Sequence, residues 1–524
     1  MLPILLCALV AAPPDVQVTR WVSPDNSRPT SFEEWRAGQT PEPWQVRTLQ
    51  AARGNDDPRV DILVEADLAD TLASRLVTMA ADLVNSGYSP AVYSVAGTSA
   101  ESLRAFLVAE RDSGLRSAVL VGDLPVAWFQ VIDDFNSNGR RDPDEGYEEF
   151  PCDLYFMDLD GEWRDEMVQL DTLDSMVPGS DGIYDAHEGD IVPEIGISRM
   201  PASAIGDEVV YLCRLLDKAH AYRNGRLPVA DRALVYIDDD WVPNAVQWDY
   251  DVGYLYPDRV FIWDRETTRI AEYRPRIDTA AYQWIQLCSH SWPGGHAMKY
   301  NSGQNWDWFY ADQIYSLNPQ ANFYNLFACS NARYVERGYC GGVYVFGTTT
   351  GLGAIGSTKT GSMLSFGDFY YTLSEGKPLA EALRVWFEMR LFDGRAPWEL
   401  AWFYGMCLIG DGLLTARVPT ALAETRDMTE TFDVSDRVPS RLSLSPRSPA
   451  RGRIDLSFTL NHSGPAQVGL WDHSGRMVLS HRFGSLAVGN HRLSLDVSPL
   501  PAGVYQLVLT TGSYRTSRSV ALVR

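Results

Sequence analysis

No run of apolar residues in this 524-residue chain reaches the roughly twenty positions a helix needs to cross a bilayer. Basic residues are scarce beside acidic ones. Lys and Arg number 45 against 68 Asp and Glu, a net charge of −23, so no basic footprint exists to displace counterions from a nucleic acid. The seven cysteines show no CxxC spacing, which argues against both a zinc site and a disulfide scaffold. The GxSxG elbow of a serine hydrolase is also absent. The apolar fraction of 45% and aromatic fraction of 11% suit a packed globular protein, and the length asks for several structural units.

The chain opens on a short apolar run, Met1 to Ala12, closed by small residues, and the pattern is that of a secretory signal peptide. Residues 13–57 have little periodicity and are expected to be an irregular lead-in. Strand and helix patterns then alternate. Val60–Val64, Ala91–Val95 and Ser117–Val121 read as strands, and Leu68–Val84 and Ser99–Glu110 as helices. After a long acidic loop region at 130–193 a second series follows, with strands at Ala233–Ile237, Val260–Trp263, Trp284–Cys288, Phe323–Phe327 and Leu352–Ile355. The order predicts an α/β fold: a parallel sheet covered by helices, in two subdomains at 58–228 and 229–420. Residues 421–440 read as a linker, and 441–524 alternate like a small antiparallel β-sandwich.

Two apolar strands end on residues with chemistry. Trp284–Cys288 runs into Ser289-His290-Ser291, and Phe323–Phe327 into Ala328-Cys329. In a parallel sheet the carboxyl ends of strands line the ligand crevice, so an imidazole and a thiol would share one cleft. His290 could take the Cys329 proton and later return it to a leaving amine, with backbone N–H groups near Cys329 and Ser291 for the oxyanion. A buried core Cys and a structural His are the plain alternative.

The acidic loop holds a second motif. From Asp134 to Glu145, oxygen side chains fall at EF-hand positions one, three, five, nine and twelve (Asp134, Asn136, Asn138, Asp142, Glu145), with Gly139 at six and Arg140 offering its carbonyl at seven. A structural calcium ion is expected there. Asp158, Asp160, Asp181, Asp185, Glu188 and Asp190 form a second acidic group that could hold another.

The strand–His and strand–Ala–Cys pair resembles the gingipain family of caspase-fold cysteine peptidases. Ala118–Asp123 (AVLVGD), Pro193–Arg199 (PEIGISR), Gly353–Thr358 (GAIGST) and Leu408–Leu413 (LIGDGL) follow the family's order across residues 58–418. The resemblance implies a secreted endopeptidase acting on proteins or peptides, with His290 and Cys329 as its dyad. It implies a third, acidic residue in the Asp238–Asp240 turn, either Asp239 or Asp240. It also implies an acid that holds basic substrate residues, Asp249 or Asp251, with Ser357 in the pocket wall. Ser291 stands where the family usually has Gly. Residues 442–524, with Leu444-Ser445-Pro446 and Leu500–Leu507 (LPAGVYQL), resemble the sorting domains of the type IX secretion route, whose machinery would be a partner. A non-catalytic calcium-binding surface or adhesion protein on the same fold is the competing reading.

Overall fold

The computed structural model describes residues 21–53, 57–133, 146–169, 176–391, 397–418, 450–460, 464–471, 477–486, 489–498, 500–511 and 514–523. The chain divides into two units, 1–424 and 425–524.

The first unit is built on one eleven-stranded sheet. Its inner strands, among them Arg59–Glu65, Leu115–Val121, Tyr282–Cys288 and Ala321–Phe327, are buried almost end to end, as strands covered on both faces must be. The covering helices show the complementary pattern. Ala66–Asn85 buries Leu68, Leu72, Leu76, Met79 and Leu83 along one stripe. Ser99 accepts from Ser102 N to start the helix Ala100–Asp112, and Asp207 accepts from Val210 N to start Glu208–Arg223.

Strand direction decides where chemistry can sit. Arg59–Glu65, Ser89–Ala96, Leu115–Val121, Gly196–Met200 and Met406–Gly410 run parallel. Gly353–Ser357, Ala321–Phe327, Tyr282–Cys288, Ala233–Ile237 and Arg259–Ile262 also run parallel to one another. The two sets meet antiparallel, where Gly353–Ser357 pairs with Met406–Gly410. Their carboxyl ends therefore open on opposite edges of the same sheet. The two α/β series expected from the sequence lie side by side here over one continuous apolar core.

Three stretches carry more structure than the sequence suggests. The lead-in expected to be irregular forms the helix Phe32–Ala37, closed by a Ser31/Glu34 capping box, and the strand Gln45–Gln50, which pairs antiparallel with Ser89–Ala96 at the sheet edge. That strand is mostly exposed, so its residues carry no apolar periodicity to read. The acidic region contains a hairpin, Trp128–Ile132 with Tyr147–Pro151. Residues following Cys288 form a three-stranded antiparallel sheet, His290–Trp292, Gly295–Tyr300 and Asn305–Tyr310.

The second unit has two antiparallel sheets, Arg453–Leu460 with Gly489–Asp496, and the four strands Met477–Leu486, Gly464–Trp471, Gly503–Thr511 and Tyr514–Leu522. Ile454, Leu456 and Leu495 of the first share one core with Val468, Leu470, Leu507 and Val520 of the second.

Candidate active site

Three neighbouring strands deliver the site. Ile237, Cys288 and Phe327 lie in register across Ala233–Ile237, Tyr282–Cys288 and Ala321–Phe327, the last residue of each strand. His290 and Cys329 each follow two residues later, and Asp240 three. Beyond the strand ends the chains stay joined: Asp238 N donates to Cys288 O at 2.9 Å and Ser289 N to Phe327 O at 3.0 Å. The buried Ser291 hydroxyl donates to the Cys329 carbonyl, tying the imidazole loop to the thiol loop.

Of the acidic turn, only Asp240 meets the imidazole. Its Oδ2 accepts from His290 Nε2 at 2.8 Å and pairs with Lys299 Nζ at 2.5 Å. The His290 hydrogen bond, more than Lys299, holds this carboxyl down at about 2 against the opposing effect of partial burial. With Nε2 engaged, Nδ1 is the ring's free acceptor. Asp239 instead accepts from Gly303 N and faces Arg265 at 3.7 Å. Asp238, fully buried and pushed up to about 7 by that burial, accepts from Lys299 N and Asp240 N. Both shape the turn.

Cys329 is a free, half-buried thiol. Burial pushes it up to about 11, opposed by a hydrogen bond from the Gly361 N–H. Gly361 has φ +130°, and a Cβ there would stand 2.3 Å from Trp402 O. Ser330, the next residue, has φ +56°, and its N–H donates to Lys359 O at 2.9 Å. Lys359 is buried between Asp133, at 3.1 Å to each oxygen, and Glu148 at 3.3 Å. Sequence reading missed this trio; the hairpin brings Asp133 and Glu148 together, and Lys359 reaches them from the distant segment after Gly353–Ser357.

The remaining expected residues divide. Asp249 forms a two-point pair with Arg259, at 2.7 Å for each bond, and Arg259 opens its strand, so this acid sits by the sheet edge away from the thiol. Asp251 is a buried residue of the same helix, Ala245–Val252, accepts from Gln247 at 2.8 Å, and is pushed up to about 7 by burial. Neither hydrogen-bonds to His290. The helix packs on the sheet face through Trp248 and Phe327, a placement that sequence spacing does not encode. Ser357, the last residue of its strand, is buried and lies against the thiol loop: its hydroxyl donates at 2.9 Å to the same Lys359 O that accepts from Ser330 N.

Of the acids offered for calcium, Asp134, Asn136, Asn138, Arg140, Asp142 and Glu145 lie outside the described residues. The second group separates. Asp185 accepts from the Glu166 and Met167 N–H groups, Glu188 pairs with Arg164, and Asp181 and Asp190 cap local turns. Asp158 and Asp160 stay together and are joined by Glu194, which the sequence reading left out; carboxylate oxygens of the three lie within 4.8 Å of one another. Burial, and then the charges of Asp158 and Asp160, push Glu194 up to about 7. The set offers the hard oxygen donors that calcium takes.

No curated protein matches the chain closely. Two solved structures overlap it weakly. One is an engineered protein, 11% identical, with 64% of this chain and 66% of that chain covered and a TM-score of 0.12. The other is an endo-β-1,4-mannanase from Thermotoga petrophila, 10% identical, with 80% and 94% covered and a TM-score of 0.13. Sequence families are more informative. A secretion system C-terminal sorting domain matches residues 448–522, the signature of type IX secretion and cell-surface attachment. Among the described residues no helix is long and apolar enough to cross a membrane. The match to Peptidase family C25 runs over residues 58–417, the whole of the large sheet from its second strand on, so the chain belongs to the gingipain family of cysteine peptidases.

Proposed function

We propose that the chain is a secreted cysteine endopeptidase in which Cys329 is the nucleophile, His290 the acid and base, and Asp240 the residue that orients the imidazole. The observation that carries the reading is the 2.8 Å bond from His290 Nε2 to Asp240, with His290 following the strand that neighbours the one leading to Cys329.

The chemistry follows from the proton positions. Burial keeps the resting thiol protonated, so its proton leaves as attack occurs. His290 Nδ1 accepts that proton while Sγ bonds to the scissile carbonyl carbon, and the Asp240 carboxylate stabilises the imidazolium that forms. The oxyanion is held by backbone N–H groups at Cys329 and Ser291. Collapse of the tetrahedral adduct breaks the C–N bond, and His290 gives its proton to the amine. Water, deprotonated by the same ring, then splits the thioester and restores the thiol.

Calcium at Asp158, Asp160 and Glu194 is part of the same proposal, in a bracing role outside the cell. The two antiparallel sheets of residues 453–522 are proposed to stack as a β-sandwich that presents the sorting signal, supported by their common core. An acyloxymethyl-ketone peptide probe tests the dyad. Labelling confined to Cys329 and lost in His290→Ala is the expected result. Labelling spread over several cysteines, or none at Cys329, would overturn it and favour the non-catalytic surface protein.

A further inference from the structure

The small sheet that begins at His290 has two unlike faces. Side chains alternate along each strand, and cross-strand partners share a face. His290 is opposite Ala297, Trp292 opposite Gly295, Lys299 opposite Trp306, Ala297 opposite Trp308, and Gly295 opposite Tyr310. His290, Trp292, Lys299, Trp306, Trp308 and Tyr310 therefore share one face. The other carries His296, Met298 and Phe309, all fully buried.

The first face is an unbroken line of rings that starts at the imidazole. Trp306 meets the His290 ring edge-on at 5.2 Å, Trp308 stacks on Trp306 at 5.7 Å and 12°, Trp292 meets Trp308 at 5.7 Å, and Tyr310 meets Trp292 at 5.7 Å. Lys299 lies 4.9 Å over Trp306. Although these rings pack on one another, Trp306 remains 37% exposed and Tyr310 44%. Core packing does not ask for large aromatic rings at the open end of such a line, and a run of exposed rings beside a reactive group is the usual make-up of a binding surface.

We infer that this aromatic face is the subsite for the part of a peptide substrate that follows the scissile bond, and that it selects a bulky aromatic or apolar side chain there. The inference rests on the dyad proposed above. The ring that gives its proton to the leaving amine must lie beside the amide nitrogen, so the residues bonded to that nitrogen pass along the surface adjoining the ring. Trp306 is the first group they meet on this face. An aromatic side chain can lie against Trp306 and reach Trp308 and Tyr310, whereas a small polar one leaves the rings wet.

The test is a cleavage profile of a mixed peptide library by mass spectrometry, run on the full-length wild type and on Trp306→Ala. The expected result is enrichment of Phe, Tyr, Trp or Leu at the first or second position after the cut bond. The kcat/KM preference for Phe over Ser there should fall about tenfold in the variant. Tyr310→Ser, at the exposed end of the same face, gives a second readout should Trp306→Ala fold poorly. Cleavage without such enrichment, or enrichment that survives both substitutions, would overturn this inference and leave the dyad standing. Absence of cleavage together with absence of probe labelling at Cys329 would overturn both.

Discussion

At the scale of single residues, the site depends on which partner each ring nitrogen and carboxylate finds. The placement of His290 and Cys329 is legible in the sequence because each follows a largely apolar strand, and strand ends are where an α/β sheet exposes chemistry. Replacing Asp240 by Asn removes the charge that fixes the His290 tautomer, and kcat should fall roughly a hundredfold with little change in KM. Steady-state kinetics on one cleaved peptide would check it. The thiol has its own signature. Its proton is held up to about 11, so its thiolate fraction in the resting protein rises through the whole alkaline range below that value. Iodoacetamide alkylation of Cys329 should accelerate about tenfold per pH unit from 7 towards 10, followed by intact mass. The choice between Asp239 and Asp240 was not legible, since adjacent acids in a turn differ only in direction. The turn aims Asp238 and Asp239 at backbone N–H groups and leaves Asp240 for the imidazole.

At the scale of elements, loops and helix faces set the limits of sequence reading. Helices with a capping Ser or Asp and a clean apolar stripe were legible; the short meander after His290 was not, because its alternation is aromatic on one face and apolar on the other. The acids expected to hold a basic substrate residue, Asp249 and Asp251, sit on a helix whose docking on the sheet is a tertiary matter. Asp251 gives a pH test. Its carboxyl is raised to about 7 by burial, so it favours the fold while protonated, and that contribution declines as pH rises from the usual carboxylate range to about 7. The melting temperature of Asp251→Asn should therefore fall less steeply than that of the wild type between pH 4 and 7, measured by calorimetry. Gly361 gives a steric test. Its φ of +130° and the Trp402 carbonyl leave no room for a Cβ, so Gly361→Ala should cost about 1–3 kcal/mol of stability and disturb the N–H that faces the thiol. Thermal melts and alkylation rates would register the two effects separately.

At the scale of the whole molecule, the alternation of strands and helices made the fold class legible, and the joining of both series into a single sheet was not, because antiparallel contact between Gly353–Ser357 and Met406–Gly410 is a pairing choice. That choice puts the amino ends of the first set of strands on the same sheet edge as the carboxyl ends of the second, where His290 and Cys329 follow. The calcium proposal belongs at this scale, since the cluster of Asp158, Asp160 and Glu194 joins a connection inside the acidic region to the approach of a sheet strand. Chelation should lower the melting temperature by ~5 °C, restored by added calcium, and an unchanged melt would count against the site. The most direct measurement of the central claim is hydrolysis of one cleaved peptide by purified wild type and by Cys329→Ala, with equal folding checked by circular dichroism. A Cys-His peptidase predicts turnover in the wild type and none above background in the variant. Undiminished turnover by Cys329→Ala would contradict it.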